Sequence, residues 1–133
     1  MTAKDQILVA IYLEYQKDIP DMTQIKATNL GLDHSVFKVA LKKLDNELMV
    51  NGLKFLAGGA NGIPADVYVG NAQMAPSGIK YVENILKVRP EMSKIEKIQA
   101  ITSKATEWGW EQMKDISAKV LAEIIKSQIE FLK

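Results

Sequence analysis

Apolar positions along this chain follow the helical period in most places and give way to short continuous runs in one. From Ala3 to Lys17, Ile7, Ile11 and Tyr15 recur every four residues, Leu8 and Ala10 widen the stripe, and Thr2 is placed to cap it. This pattern predicts a first helix. The sequence Asp18-Ile19-Pro20-Asp21 ends it, because proline cannot continue the hydrogen-bond ladder. A short second helix fits Met22 to Asn29, with Asp21 as its cap, Gln24 returning the bond in a capping box, and Gly31 as a left-handed stop. The third starts at Asp33, an N-cap residue. Val36, Phe37, Ala40, Leu41 and Leu44 form its apolar stripe and Asn46 its left-handed terminator.

The period then changes. Residues 48–56 and 66–70 are short runs rich in β-branched or aromatic side chains and bounded by glycine or proline, which predicts two strands. Between them lies the tip Gly58-Gly59-Ala60-Asn61-Gly62, with Asn61-Gly62 as a turn dipeptide. A fourth helix opens at Met74-Ala75-Pro76-Ser77-Gly78-Ile79, with proline at a first position where its missing N–H is harmless. Arg89-Pro90 closes that unit. Ser93 and Glu96 then form a capping box for a stripe of Ile95, Ile98, Ile101, Ala105 and Trp108. A second stripe follows through Met113, Ile116, Val120 and Ile124. The segment is one long helix or two hinged near Trp108-Gly109-Trp110. The hinge is preferred, because glycine costs about 1 kcal/mol against alanine inside a helix. Two helices joined by Leu30-Gly31-Leu32, then a hairpin, then a helix, imply an α+β fold. The expected organisation is a winged helix-turn-helix domain over residues 1–90 and a helical extension over residues 92–133.

Composition changes this picture in one respect. The balance of 47% hydrophobic and 25% charged residues is that of a globular chain. Lys+Arg number 17 against 16 Asp+Glu, a net charge of +1. Phosphate neutralisation supplies most of the affinity of DNA-binding domains, so this balance counts against tight DNA binding. The absence of cysteine removes disulfides, thiolate metal sites and cysteine nucleophiles. The longest apolar run, Ile7 to Leu13, is too short for a bilayer and is flanked by Asp5 and Glu14, so the expectation is a cytoplasmic chain without a membrane partner.

Residues 44–86 carry a family resemblance. Leu44-Asp45-Asn46-Glu47-Leu48-Met49-Val50-Asn51-Gly52, Asp66-Val67-Tyr68-Val69-Gly70, Met74-Ala75-Pro76-Ser77-Gly78 and Tyr81-Val82 resemble the YjcQ family. These are small winged-helix proteins of Gram-positive bacteria and their prophages, with no established biochemical activity. The resemblance implies the winged helix but no catalytic residues, and the C-terminal forty or so residues lie largely outside it.

In a helix-turn-helix the second helix enters the major groove. Facing away from the expected apolar stripe are His34, Ser35, Lys38, Lys42 and Lys43, the candidate contacts to double-stranded DNA. The same residues equally suit the solvated face of a surface helix. The tip from Ala57 to Asp66 has no basic residue, and Arg89 is the chain's only arginine, which weighs against DNA. The glycine-rich tip lacks the Lys-Ser/Thr of a phosphate loop, and His34, the only histidine, has no clustered partners. No enzyme and no cofactor are expected. Of Trp108 and Trp110, two residues apart and therefore on different faces, Trp110 is taken as interfacial. Together with Leu121, Ile125 and Leu132 it forms a candidate interface for a homodimer or another protein partner. The function expected is DNA binding or regulation, and the alternative is a protein-binding adaptor.

Overall fold

The structure, a computed structural model, describes the backbone of residues 2–132 and the side chains of residues 2–128. The expectation placed on Leu132 lies outside those side chains. The chain is an α+β fold of mostly helices: α1 (Ala3–Tyr15), α2 (Ala27–Leu30), α3 (His34–Asn46), strands β1 (Val50–Asn51), β2 (Lys54–Leu56), β3 (Asp66–Tyr68) and β4 (Gln73–Met74), then α4 (Pro76–Leu86), α5 (Lys94–Glu107) and α6 (Glu111–Leu132).

Helix α1 is the centre of the molecule. Thr2 caps it, its hydroxyl accepting from the Asp5 N–H at 3.1 Å. Every residue from Ile7 to Glu14 is buried, so the expected single stripe was too narrow, and Tyr15, expected on it, is exposed. A helix apolar all round needs partners all round. Here they are α3, α4, β4 and α6. The boundary expected at residues 90–92 falls in the loop between α4 and α5, yet the segment after it packs back on α1. Two phenols fix α4 to α1: Tyr12 Oη donates to Glu83 Oε2 at 3.0 Å, and Tyr81 Oη donates to Asp5 Oδ1 at 2.7 Å. Burial, and then the bond to Glu83, raises the Tyr12 phenol well above its ordinary range. The bond to Asp5, with burial adding to it, pushes Tyr81 up to about 12.

The second helix is shorter than its sequence suggested. Met22–Gln24 is a single 3-10 turn, and the chain is extended at Ile25 and Lys26 before α2 begins. Ile25 is drawn into the core by this extension. The expected capping box does not form, because Glu14 Oε1 takes the Asp21 N–H at 2.8 Å and Gln24 Nε2 reaches the Asp21 carboxylate instead. Lys17 bridges Glu14 and Glu123, each at 2.8 Å, and so ties α1 to α6.

Helix α3 buries Phe37, Ala40, Leu41 and Leu44. Val36, expected in the same stripe, is 46% exposed. It sits one residue, about 100°, from Phe37 and therefore off a face centred on the i, i+3, i+4, i+7 positions. Asn46 remains helical, and the left-handed residue is Leu48, at φ 59. Leu48 N–H bonds Asp45 O and Met49 N–H bonds Leu44 O, the paired closure of a Schellman turn.

The single strand expected over residues 48–56 is two strands with different partners. β1 pairs antiparallel with β4 (Val50 with Met74), and β2 pairs with β3 (Lys54 with Tyr68, Leu56 with Asp66). β4 was not expected, and two residues are too few to show an alternation. The tip folds as expected into a tight turn, with Asn61 and Gly62 both at positive φ and Ala65 N–H closing on Leu56 O at 2.9 Å. The opening of α4 packs on the exit from α3. Ser77 Oγ donates to Leu48 O at 2.6 Å, and a Cβ at Gly78 would collide with Met49 O.

The C-terminal segment is a helical hairpin. The capping box at Ser93 and Glu96 is present, and α5 and α6 pack on each other across a turn at Gly109, φ 69. Val120 and Ile124 are buried within the chain and Ile116 is half-buried, so this row faces the protein's own core.

Candidate nucleic-acid interface

Asp33 sets the start of α3, its carboxylate accepting from the N–H groups of Ser35 and Val36 at 3.0 and 3.2 Å. His34 and Ser35 are exposed on that first turn, and Lys42 and Lys43 are exposed further along. Lys38 is half-buried, because its Nζ donates to Ala65 O on the hairpin at 3.3 Å. One turn on, the Lys42 ammonium lies 4.5 Å above the centroid of the Phe55 ring. The face of α3 that carries Lys38 and Lys42 is therefore seated against the β2–β3 hairpin.

The hairpin's alternation explains this seating. Phe55 and Val67 point inward and are half-buried, while Lys54, Leu56, Asp66 and Tyr68 are exposed on the other face. A half-buried aromatic under a lysine is held partly by the ring's negative face. The contact between α3 and the hairpin was not read from the sequence. The alternation of Lys54-Phe55-Leu56 was its only signal.

Some of the basic side chains are paired and others are not. Lys4, Lys17, Arg89, Lys94, Lys97, Lys104 and Lys114 each have a carboxylate partner within ion-pair distance. Among the described residues, Lys26, Lys38, Lys42, Lys43, Lys54, Lys80, Lys87, Lys119 and Lys126 have none. Of the nearby acids, Asp33 caps α3 and Asp66 accepts from the Val67 N–H at 2.8 Å, while Asp45 adds an acidic group to α3 itself. In this chain of net charge +1 the lysines without an ion pair thus include those of α3 and the hairpin, and also Lys80 and Lys87 on and after α4 and Lys119 and Lys126 on α6. Asp21 is held below the ordinary carboxylate range by the Thr23 and Gln24 side chains.

The other candidates separate. Trp110, expected at an interface, is buried at 6% exposure, and it is Trp108 that stands open at 40%. The residue after a left-handed glycine folds back on the helix it terminates, and Trp110 N–H closes on Ala105 O at 2.7 Å in this way. Leu121 is half-buried and Ile125 is 40% exposed on the outer side of α6. Among the described residues, no group of three His, Cys, Asp or Glu side chains is placed to hold a metal ion, and no helix is long and apolar enough to cross a membrane. Compared with protein-family models, curated proteins and solved structures, the chain matches none.

Proposed function

We propose that this chain is a small winged-helix protein of YjcQ-like, phage-derived type, working in the cytoplasm without catalysis or a cofactor. It binds double-stranded DNA through α3 and the adjoining hairpin, with α2 and α3 as the helix-turn-helix and β2–β3 as the wing. The observation that carries this reading is the set of four lysines on α3 and the hairpin, Lys38, Lys42, Lys43 and Lys54, none with a carboxylate partner among the described residues. Ammonium groups without carboxylate partners suit phosphate neutralisation, and Lys38 and Lys42 would exchange their contacts with Ala65 O and the Phe55 ring for it. His34, Ser35 and Lys43 flank Lys38 and Lys42 and complete the proposed contact surface.

Fluorescence anisotropy with a mixed-sequence duplex at low salt tests it. Wild-type protein should bind, and Lys38→Glu with Lys42→Glu should abolish binding. A single Lys43→Ala should flatten the dependence of log K on log salt by roughly 0.9 of a unit, the share of one phosphate. No binding by the wild type at low ionic strength refutes the proposal.

A second reading, a protein-binding adaptor, is favoured by the outer face of the hairpin. Leu56 and Tyr68 are diagonal neighbours there and are 63% and 54% exposed. Tyrosine is enriched at interface centres. If Leu56→Asp and Tyr68→Asp leave duplex binding intact, that face does not serve DNA. Either reading accommodates a homodimer through Leu121 and Ile125, and a monomer by light scattering at tens of micromolar would exclude it.

A further inference from the structure

On the outer face of the β2–β3 hairpin one aromatic ring lies flat. A Cβ built on Gly70 would meet Tyr68 Oη at 2.6 Å, Cζ at 2.8 Å and Cε1 at 3.3 Å. Those three distances together place it over the face of the phenol at its hydroxyl end, not beside the ring edge. The ring therefore rests on Gly70 in space that any other residue would fill. Tyr68 is still 54% exposed, so its opposite face is open to solvent. Among the described residues, lysine ammonium groups lie over the rings of Phe55 and Trp108 and none lies over Tyr68.

Two neighbours give this platform its chemistry. Lys54 is directly across the hairpin from Tyr68, exposed, and without a carboxylate partner among the described residues. Directly paired positions on one face hold their side chains within reach of a common ligand. Leu56, 63% exposed, is the diagonal neighbour on the same face. Asp66, the carboxylate of that face, lies across from Leu56 toward the tip, and its Oδ1 accepts from the Val67 N–H at 2.8 Å. An open aromatic face, an ammonium beside it and an exposed apolar side chain next to them suit the three parts of a thymine nucleotide: flat base, phosphate and methyl group.

We propose that the outer face of the hairpin binds single-stranded DNA by taking one unpaired thymine on Tyr68. The base stacks on the open face of the phenol, the adjoining phosphate meets the Lys54 ammonium, and the thymine methyl packs on Leu56. In a duplex the faces of each base are covered by its neighbours in the stack, so the platform selects unpaired strands. Uracil lacks the methyl that Leu56 covers, which makes RNA the poorer ligand. A protein partner is the competing occupant of this face. The proposal does not rest on duplex binding by α3.

The test is fluorescence anisotropy of the full chain at low salt with end-labelled decamers of thymidine, of uridine, and of abasic deoxyribose phosphate. The thymidine decamer should bind roughly 5- to 100-fold more tightly than the abasic one, the share of one stacked base. It should also bind more tightly than the uridine decamer. Tyr68→Leu should lose the same factor for thymidine, while Tyr68→Phe, which keeps the ring, should stay within about twofold of wild type. Lys54→Ala should flatten the dependence of log K on log salt by roughly 0.7 of a unit, the share of one phosphate on a single strand. Gly70 is not among the glycines at positive φ, so Gly70→Ala should displace the phenol and weaken binding with the urea midpoint unchanged. Tyr68→Leu should leave duplex binding as it was, which keeps failure here distinct from failure at α3. An abasic or uridine decamer that binds as tightly as thymidine, full affinity in Tyr68→Leu, or no binding of the thymidine decamer by wild type overturns the proposal. The last result returns the face to the protein-binding reading.

Discussion

Gly109→Ala distinguishes a hairpin from a continuous C-terminal helix by the sign of its effect. In the structure Gly109 sits at φ 69, and a Cβ built there has no heavy atom within 4 Å. No clash contributes, so the cost is conformational. A left-handed residue with a Cβ costs roughly 1–2 kcal/mol. Alanine recovers about 0.4–1 kcal/mol of this by restricting the unfolded chain. The net is a destabilisation of about 0.5–1 kcal/mol. With an m-value of about 1.5 kcal/mol/M, the urea midpoint should fall by roughly 0.3–0.7 M. If residues 94–132 were instead one uninterrupted helix, the same substitution would remove a helix-interior glycine and stabilise by about 1 kcal/mol. Urea unfolding followed by circular dichroism, with m unchanged between variants, reads the sign directly. An increased midpoint refutes the hairpin, and with it the burial of Val120 and Ile124 against the chain's own core.

Two further outcomes test the core and its polar ties. Phe37→Ala should cost about 3–5 kcal/mol, since its ring is buried, whereas Lys42→Ala should cost under about 1 kcal/mol through the lost contact with Phe55; similar urea midpoints for the two would mean that the faces of α3 are misassigned. The Tyr12 and Tyr81 phenols are both raised in the folded state, so their stabilisation is complete below the ordinary phenol value of 10.0 and is lost as pH climbs through the folded values, about 12 for Tyr81. Stability should therefore decline above pH 10 and do so less steeply in Tyr81→Phe; an identical alkaline slope in the variant would show that the Asp5 bond contributes nothing.

The elements that were legible in the sequence are those fixed by contacts within a few residues of the chain. Thr2, Asp33 and the Ser93–Glu96 pair cap the helices they were expected to cap, because an N-cap bond spans only two or three residues. Gly31, Gly109 and the Asn61-Gly62 tip turn where expected, since a left-handed backbone is a property of the residue itself. The lysines of α3 were identifiable for the same reason, from a helical period around Phe37, Leu41 and Leu44.

What was not legible depends on partners distant in sequence. The capping box at Asp21 lost its backbone N–H to Glu14, a residue seven positions back whose approach is set by the packing of the loop on α1. Residues 48–56 carried the signal of one strand, and only the positions of β3 and β4 divided it between two partners. Trp110 was expected at an interface, and the closing of the hairpin buried it and left Trp108 exposed instead. Helix α1 gave a periodic stripe, yet it is buried on every side, because a hydrophobic pattern records which residues can be buried while the number of elements packed around a helix decides which are. The pairing of charges is the same kind of quantity. The sequence supplied near-equal numbers of acids and bases, and only the tertiary fold brought carboxylates to some lysines and left others, those of α3 and the hairpin among them, without one, because an ion pair requires its two charges within about 4 Å whatever their separation along the chain.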